Sequence, residues 1–108
     1  MKIADLQVAS HAIAVSKGWW EEERNIGELL ALVHSEVSEA LEEWRDGYAL
    51  DEIRWDKDKP LGFSTELADI LIRVADLAES VGINLDDALK TKMAYNATRP
   101  WRHGGKKA

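Results

Sequence analysis

The 108-residue chain is long enough for one domain with its own core and too short for two. It has no cysteine, which excludes disulfides and thiolate metal sites, and no apolar run reaches the roughly 20 residues a membrane helix needs. Residues 90–108 hold six Lys or Arg and no acid, so the net charge of -6 conceals an acidic body of net -12, which disfavours binding to duplex nucleic acid through its phosphates.

The N-terminal stretch MKIADLQVASHAIAV carries no cleavable signal pattern, so a cytoplasmic location is expected. No alternating run is long enough for a strand, and apolar spacing with punctuation gives four helices, an all-α class. The first covers roughly residues 3–16 and ends near Gly18. The second starts at Asn25 or Ile26 and runs to Trp44 or Arg45, stopped by Asp46-Gly47. Residues 48–63 mix charges with Pro60 and Gly62 and read as a long connection with room for one helical turn. Ser64 or Thr65 is expected to cap the third helix, which ends at Gly82. Asn84 then caps a fourth that Pro100 closes, because the residue before a proline avoids helical geometry. This gives a helical domain over 1–100 and a basic tail over 101–108, WRHGGKKA, expected to be flexible without ligand.

The stretch HSEVSEALEEW, residues 34–44, places four glutamates on the second helix. At about 100° per residue, with Glu36 as zero, Leu29, Val33, Val37, Ala40, Leu41 and Trp44 centre on about 70° and form the core face. Glu36 lies at the edge of that face, Glu43 about 20° and Glu39 about 60° further out, and Glu42 almost opposite the core. On the third helix Glu66 again sits at the edge of the apolar arc, with Asp69 about 60° further out. Acids flank the apolar stripe of most amphipathic helices, so either pair alone carries little. Two matching i, i+3 pairs on antiparallel helices would bring four carboxylates together, and such an all-oxygen cluster suits Mg²⁺ or Mn²⁺. A di-iron site is disfavoured, since no His follows Glu36 or Glu66 at Glu-x-x-His spacing. Lys92, Asn96 and Arg99 share one face of the fourth helix and offer cationic and amide donors suited to phosphate. Ala68, Ile72 and Ala75, on the back of the third helix, fit a second buried surface in an oligomer.

Glu-x-x-Glu at EVSE (36–39), Glu-x-x-Asp at ELAD (66–69), and Lys, Asn and Arg in KTKMAYNATR resemble the MazG-like, all-α nucleoside triphosphate pyrophosphohydrolases. The resemblance covers most of the chain. It implies an oligomeric four-helix MazG-like bundle, a dimer or tetramer. Glu36, Glu39, Glu66 and Asp69 would bind Mg²⁺, with Mn²⁺ as a substitute, and Lys92, Asn96 and Arg99 would contact phosphate and sugar. Hydrolysis of a nucleoside triphosphate, a dNTP, to the monophosphate and pyrophosphate is the activity it implies. Glu36 and Glu39 would serve the catalysis, with Glu43 as an extra ligand or base. HAIAVSKGWW is similar to the first-helix segment of the dCTP pyrophosphatase branch, which puts His11 and Trp19 or Trp20 in a base pocket, with Trp44 at the core or the pocket edge. HGGK is similar to the ends of some small MazG-like chains, where Arg102 or Lys106 would fold over a phosphate. The alternatives are phosphoribosyl-ATP pyrophosphohydrolase and a non-catalytic helical module that senses nucleotide or binds a partner.

Overall fold

The computed structural model describes residues 1–101. Four helices dominate: α1 (Ile3–Ser16), α2 (Ile26–Arg45), α3 (Phe63–Ser80) and α4 (Leu85–Thr98). The all-α expectation thus holds in its main elements, and no helix among the described residues is long and apolar enough to cross a membrane. Helix α3 is central, packed between α1 and α2, while α4 rests against α1.

The caps show why the helices stop where they do. Asn25 starts α2 by accepting hydrogen bonds from the backbone N–H groups of Gly27 and Glu28 through its side chain. Asn84 does the same for α4 through Asp87 N–H. Helix α3 ends in the left-handed turn at Gly82, where Ile83 N–H reaches back to Ala78 O at 2.9 Å. Arg99, preceding Pro100, is extended and closes α4. Buried Gln7 pins the α3–α4 turn onto α1: its amide donates to Ile83 O at 2.7 Å, and its carbonyl accepts from Leu85 N–H at 3.1 Å.

Two expectations are corrected. Residues 48–63 contain a small antiparallel hairpin, β1 (Arg54–Asp56) and β2 (Lys59–Leu61), turned by Lys57-Asp58 with Lys57 at φ 57°. Three-residue strands are too short to show alternation, and Lys-Asp is not one of the glycine-containing pairs that signal a two-residue turn. The cap of α3 is Gly62, not Ser64 or Thr65, and Thr65 Oγ1 donates back to Gly62 O. Gly62 has φ 146°, and a Cβ there would collide with the backbone oxygen of Glu52. The close approach of residue 52 to residue 62 therefore requires glycine, and it fixes where α3 begins.

The interior is thin. Among the described residues the buried apolar ones are Ala40, Ala75 and Ala78, and no large side chain is fully buried. On the back of α3, α1 of the same chain covers Ala75, which is 1% exposed, while Ala68 and Ile72 stay open to solvent. The apolar arcs of α2 and α3 divide along their length. On α2, Leu29, Val33 and Ala40, within about 60° of Glu36, face inward, while Val37, Leu41 and Trp44, at about 80–140°, are exposed. On α3, Leu67 and Leu71 at about 100° and 140° from Glu66 are exposed in the same way. The radius of gyration is 16.5 Å, against about 13 Å for a compact domain of this length.

Candidate functional site: a carboxylate cluster beside an apolar cavity

Antiparallel packing of α2 on α3 brings together Glu36, Glu39 and Glu66, each with an oxygen within 4.8 Å of the others. Glu36 is 7% exposed and Glu39 is open to solvent. Glu36 Oε1 accepts a hydrogen bond from Arg73 Nε at 2.7 Å, whereas Glu36 Oε2 and Glu66 Oε2 are both buried without a partner. Buried carboxylate oxygens normally find donors. Two orphaned oxygens in an all-oxygen group fit a hard divalent cation.

The electrostatics express the same crowding. Burial pushes Glu36 up, but hydrogen bonds from Arg73 and within the cluster outweigh it, and its pKa falls below the ordinary carboxylate value. Glu66 moves the other way, to about 7, because burial, the shared hydrogen bond with Glu39 and the Glu39 charge all favour its neutral form. Asp69 is also raised, by desolvation and by the charge of Glu36, against the opposing charges of Arg73 and Lys59. Asp69 does not belong to the 4.8 Å group, although sequence spacing paired it with Glu66. It lines the neighbouring cavity instead.

That cavity has a volume of about 440 Å³ between α1, the start of α2 and α3. Leu6, Ile13, Leu29 and Ile72 supply apolar walls, Trp19 an aromatic one, and Asp69, Arg73 and Asp76 polar edges. Such a lining suits a flat heteroaromatic ring with a few polar groups. Of the two tryptophans in KGWW, Trp19 lines the cavity. Trp20 is held behind it, its Nε1–H shared between Asp76 Oδ1 at 3.0 Å and Oδ2 at 3.2 Å. His11 Nδ1 lies 2.7 Å from Asp76 Oδ1, and its ring meets Trp20 edge-on at 5.3 Å. Asp76 thus orients His11 and Trp20, neither of which lines the cavity, so of the residues expected in the base pocket Trp19 is the one that reaches it.

Other expected site residues lie elsewhere. Glu43 accepts a hydrogen bond from Arg54 Nη2 at 2.7 Å, and Arg54 stacks on Tyr48 with its guanidinium carbon 3.4 Å from the ring centre. Trp44 is 60% exposed and does not line the cavity. Lys92 and Asn96 are exposed on α4, Arg99 is exposed at its extended C-cap rather than on the helical face expected of it, and no hydrogen bond or ion pair among the described residues joins the three to the carboxylates. Arg102 and Lys106 fall outside the described residues.

Sequence reasoning missed Arg73 and Asp76. The signal was present: Glu66, Asp69, Arg73 and Asp76 stand at i, i+3, i+7 and i+10, a single charged stripe along α3 that continues the acidic pair. Comparison of the chain with family models, with curated proteins and with solved structures gives no match.

Proposed function

We propose that the chain is a divalent-cation-dependent nucleoside triphosphate pyrophosphohydrolase of the MazG-like kind, acting on a dNTP and releasing dNMP and pyrophosphate. The observation that carries this reading is the buried Glu36, grouped with Glu39 and Glu66, with Glu36 Oε2 and Glu66 Oε2 unpartnered, beside a cavity of about 440 Å³ walled by Trp19 and apolar side chains. Mg²⁺, with Mn²⁺ as substitute, would neutralise the polyphosphate and lower the pKa of a water directed at the α-phosphorus.

The chain's own residues supply the rest. Glu36, Glu39 and Glu66 hold the cation, with Asp69 beside them at the cavity edge. Trp19 stacks on the base, while Asp76 holds His11 and Trp20 as a fixed wall behind it. The Arg54 pairing gives Glu43 the part of tying the hairpin to α2 rather than moving a proton. Lys92, Asn96 and Arg99 contact phosphate and sugar from a second copy of the chain. A homo-oligomer, a dimer or tetramer, is supported by the exposed apolar strip of Val37, Leu41, Trp44, Leu67 and Leu71 and by the extended single-chain shape.

Incubation with Mg²⁺ and a panel of nucleotides that includes phosphoribosyl-ATP, with the products identified, tests this reading. Pyrophosphate and a deoxynucleoside monophosphate are expected. Release of orthophosphate would overturn the assigned bond, and turnover of phosphoribosyl-ATP alone would select the related hydrolase instead.

A further inference from the structure

The carboxylate cluster has a built-in cation. Arg73 Nε is 2.7 Å from Glu36 Oε1, while the other ion pairs among the described residues, His11–Asp76, Arg45–Glu42 and Arg54–Glu43, lie elsewhere. The same side chain lines the cavity between Asp69 and Trp19, its guanidinium carbon 5.8 Å from the Trp19 ring centre. It is 30% exposed, so packing does not lock it against Glu36.

We infer that Arg73 serves two ligands in turn: without a divalent cation it neutralises Glu36, and with the cation bound its guanidinium grips a phosphate of the nucleotide that enters the cavity. This rests on the function proposed above and adds a substrate-binding residue to it. A cation on Glu36 takes up the charge that holds Arg73, so that hydrogen bond weakens and the planar donor fork becomes free for phosphate oxygens, which it fits bidentately. In the cation-free protein the positive charge of Arg73 opposes entry of the ion. Removing it therefore moves the two ligands in opposite directions. A residue that merely braced Glu36 would weaken both on removal, and a solvated one would change neither.

The test compares wild type with Arg73→Met and Arg73→Lys. Mn²⁺ binding to the nucleotide-free protein is followed by electron paramagnetic resonance. Binding of the four α,β-imido deoxynucleoside triphosphates at saturating Mn²⁺ is followed by calorimetry. Arg73→Met is expected to bind Mn²⁺ at least about fivefold more tightly, since a positive charge near the ion is gone. It should bind the analogue that wild type prefers at least about tenfold more weakly, the usual loss when a hydrogen bond to a charged group is removed. Arg73→Lys, which keeps the charge and loses the fork, should hold Mn²⁺ within about twofold of wild type and still bind the analogue several-fold more weakly. If Arg73→Met does not fold, Arg73→Lys decides, and unchanged analogue affinity in it overturns the inference. Unchanged or weakened Mn²⁺ binding in folded Arg73→Met overturns the inference and leaves the enzyme reading standing. A wild type that binds Mn²⁺ but none of the four analogues overturns both.

Discussion

Glu36 and Glu66 sit in one cluster and shift in opposite directions, and this sets the pH dependence of the cation-free protein. Glu66 in the fold titrates at about 7 against 4.5 for an ordinary glutamate. Its contribution to stability is fully present below 4.5 and is lost as pH rises through about 7, because the unfolded chain ionises first. Glu36, depressed by Arg73, contributes above 4.5 and loses that contribution as pH falls below it. Thermal melts in chelator should therefore show a falling Tm between about pH 5 and about pH 8, and saturating Mn²⁺ should remove the fall by favouring ionised Glu66. A chelated protein whose Tm rises across that window would contradict the assignment. Glu43 offers a second check at this scale. If it anchors the hairpin through Arg54, Glu43→Gln lowers Tm yet keeps kcat within about tenfold, whereas loss of a general base costs about 10²–10⁴.

At the scale of the element, Gly62 fixes the start of α3 and hence the phase at which Glu66 and Arg73 meet α2. Gly62→Ala places a Cβ against the Glu52 carbonyl at a φ that L residues rarely adopt. It should destabilise by more than about 1 kcal/mol in chemical denaturation. A neutral effect would mean that the close approach is easily relaxed. The four helices and most of their boundaries were legible because Asn25, Gly82, Asn84 and Pro100 punctuate them with specific backbone chemistry. The hairpin was not, since three-residue strands joined by Lys-Asp offer neither periodicity nor a glycine-containing turn pair. The carboxylates Glu36, Glu39 and Glu66 were legible as the edges of two apolar arcs. Arg73 and Asp76 were not, because their meaning comes from partners on α2 and α1, which spacing within α3 cannot display.

The whole molecule leaves a strip of its best apolar surface uncovered. Val37, Leu41 and Trp44 on α2 and Leu67 and Leu71 on α3 form the outer part of the arcs whose inner part packs α2 on α3. A second copy that covers this strip would complete the bundle at no entropic cost beyond association. Sedimentation should show a dimer or tetramer, and Leu41→Glu with Leu71→Glu should shift it to monomer and lower Tm. A wild type monomeric at hundreds of micromolar would contradict this assembly. The function proposed for the assembly depends on the carboxylates more than on any other feature. Its most direct test is pyrophosphate release from the preferred dNTP in Mg²⁺ by wild type and by the folded Glu39→Gln, Glu66→Gln double variant. Steady release by wild type with a loss of at least about 100-fold in the variant is the predicted result; a variant that turns over at the wild-type rate would contradict the account.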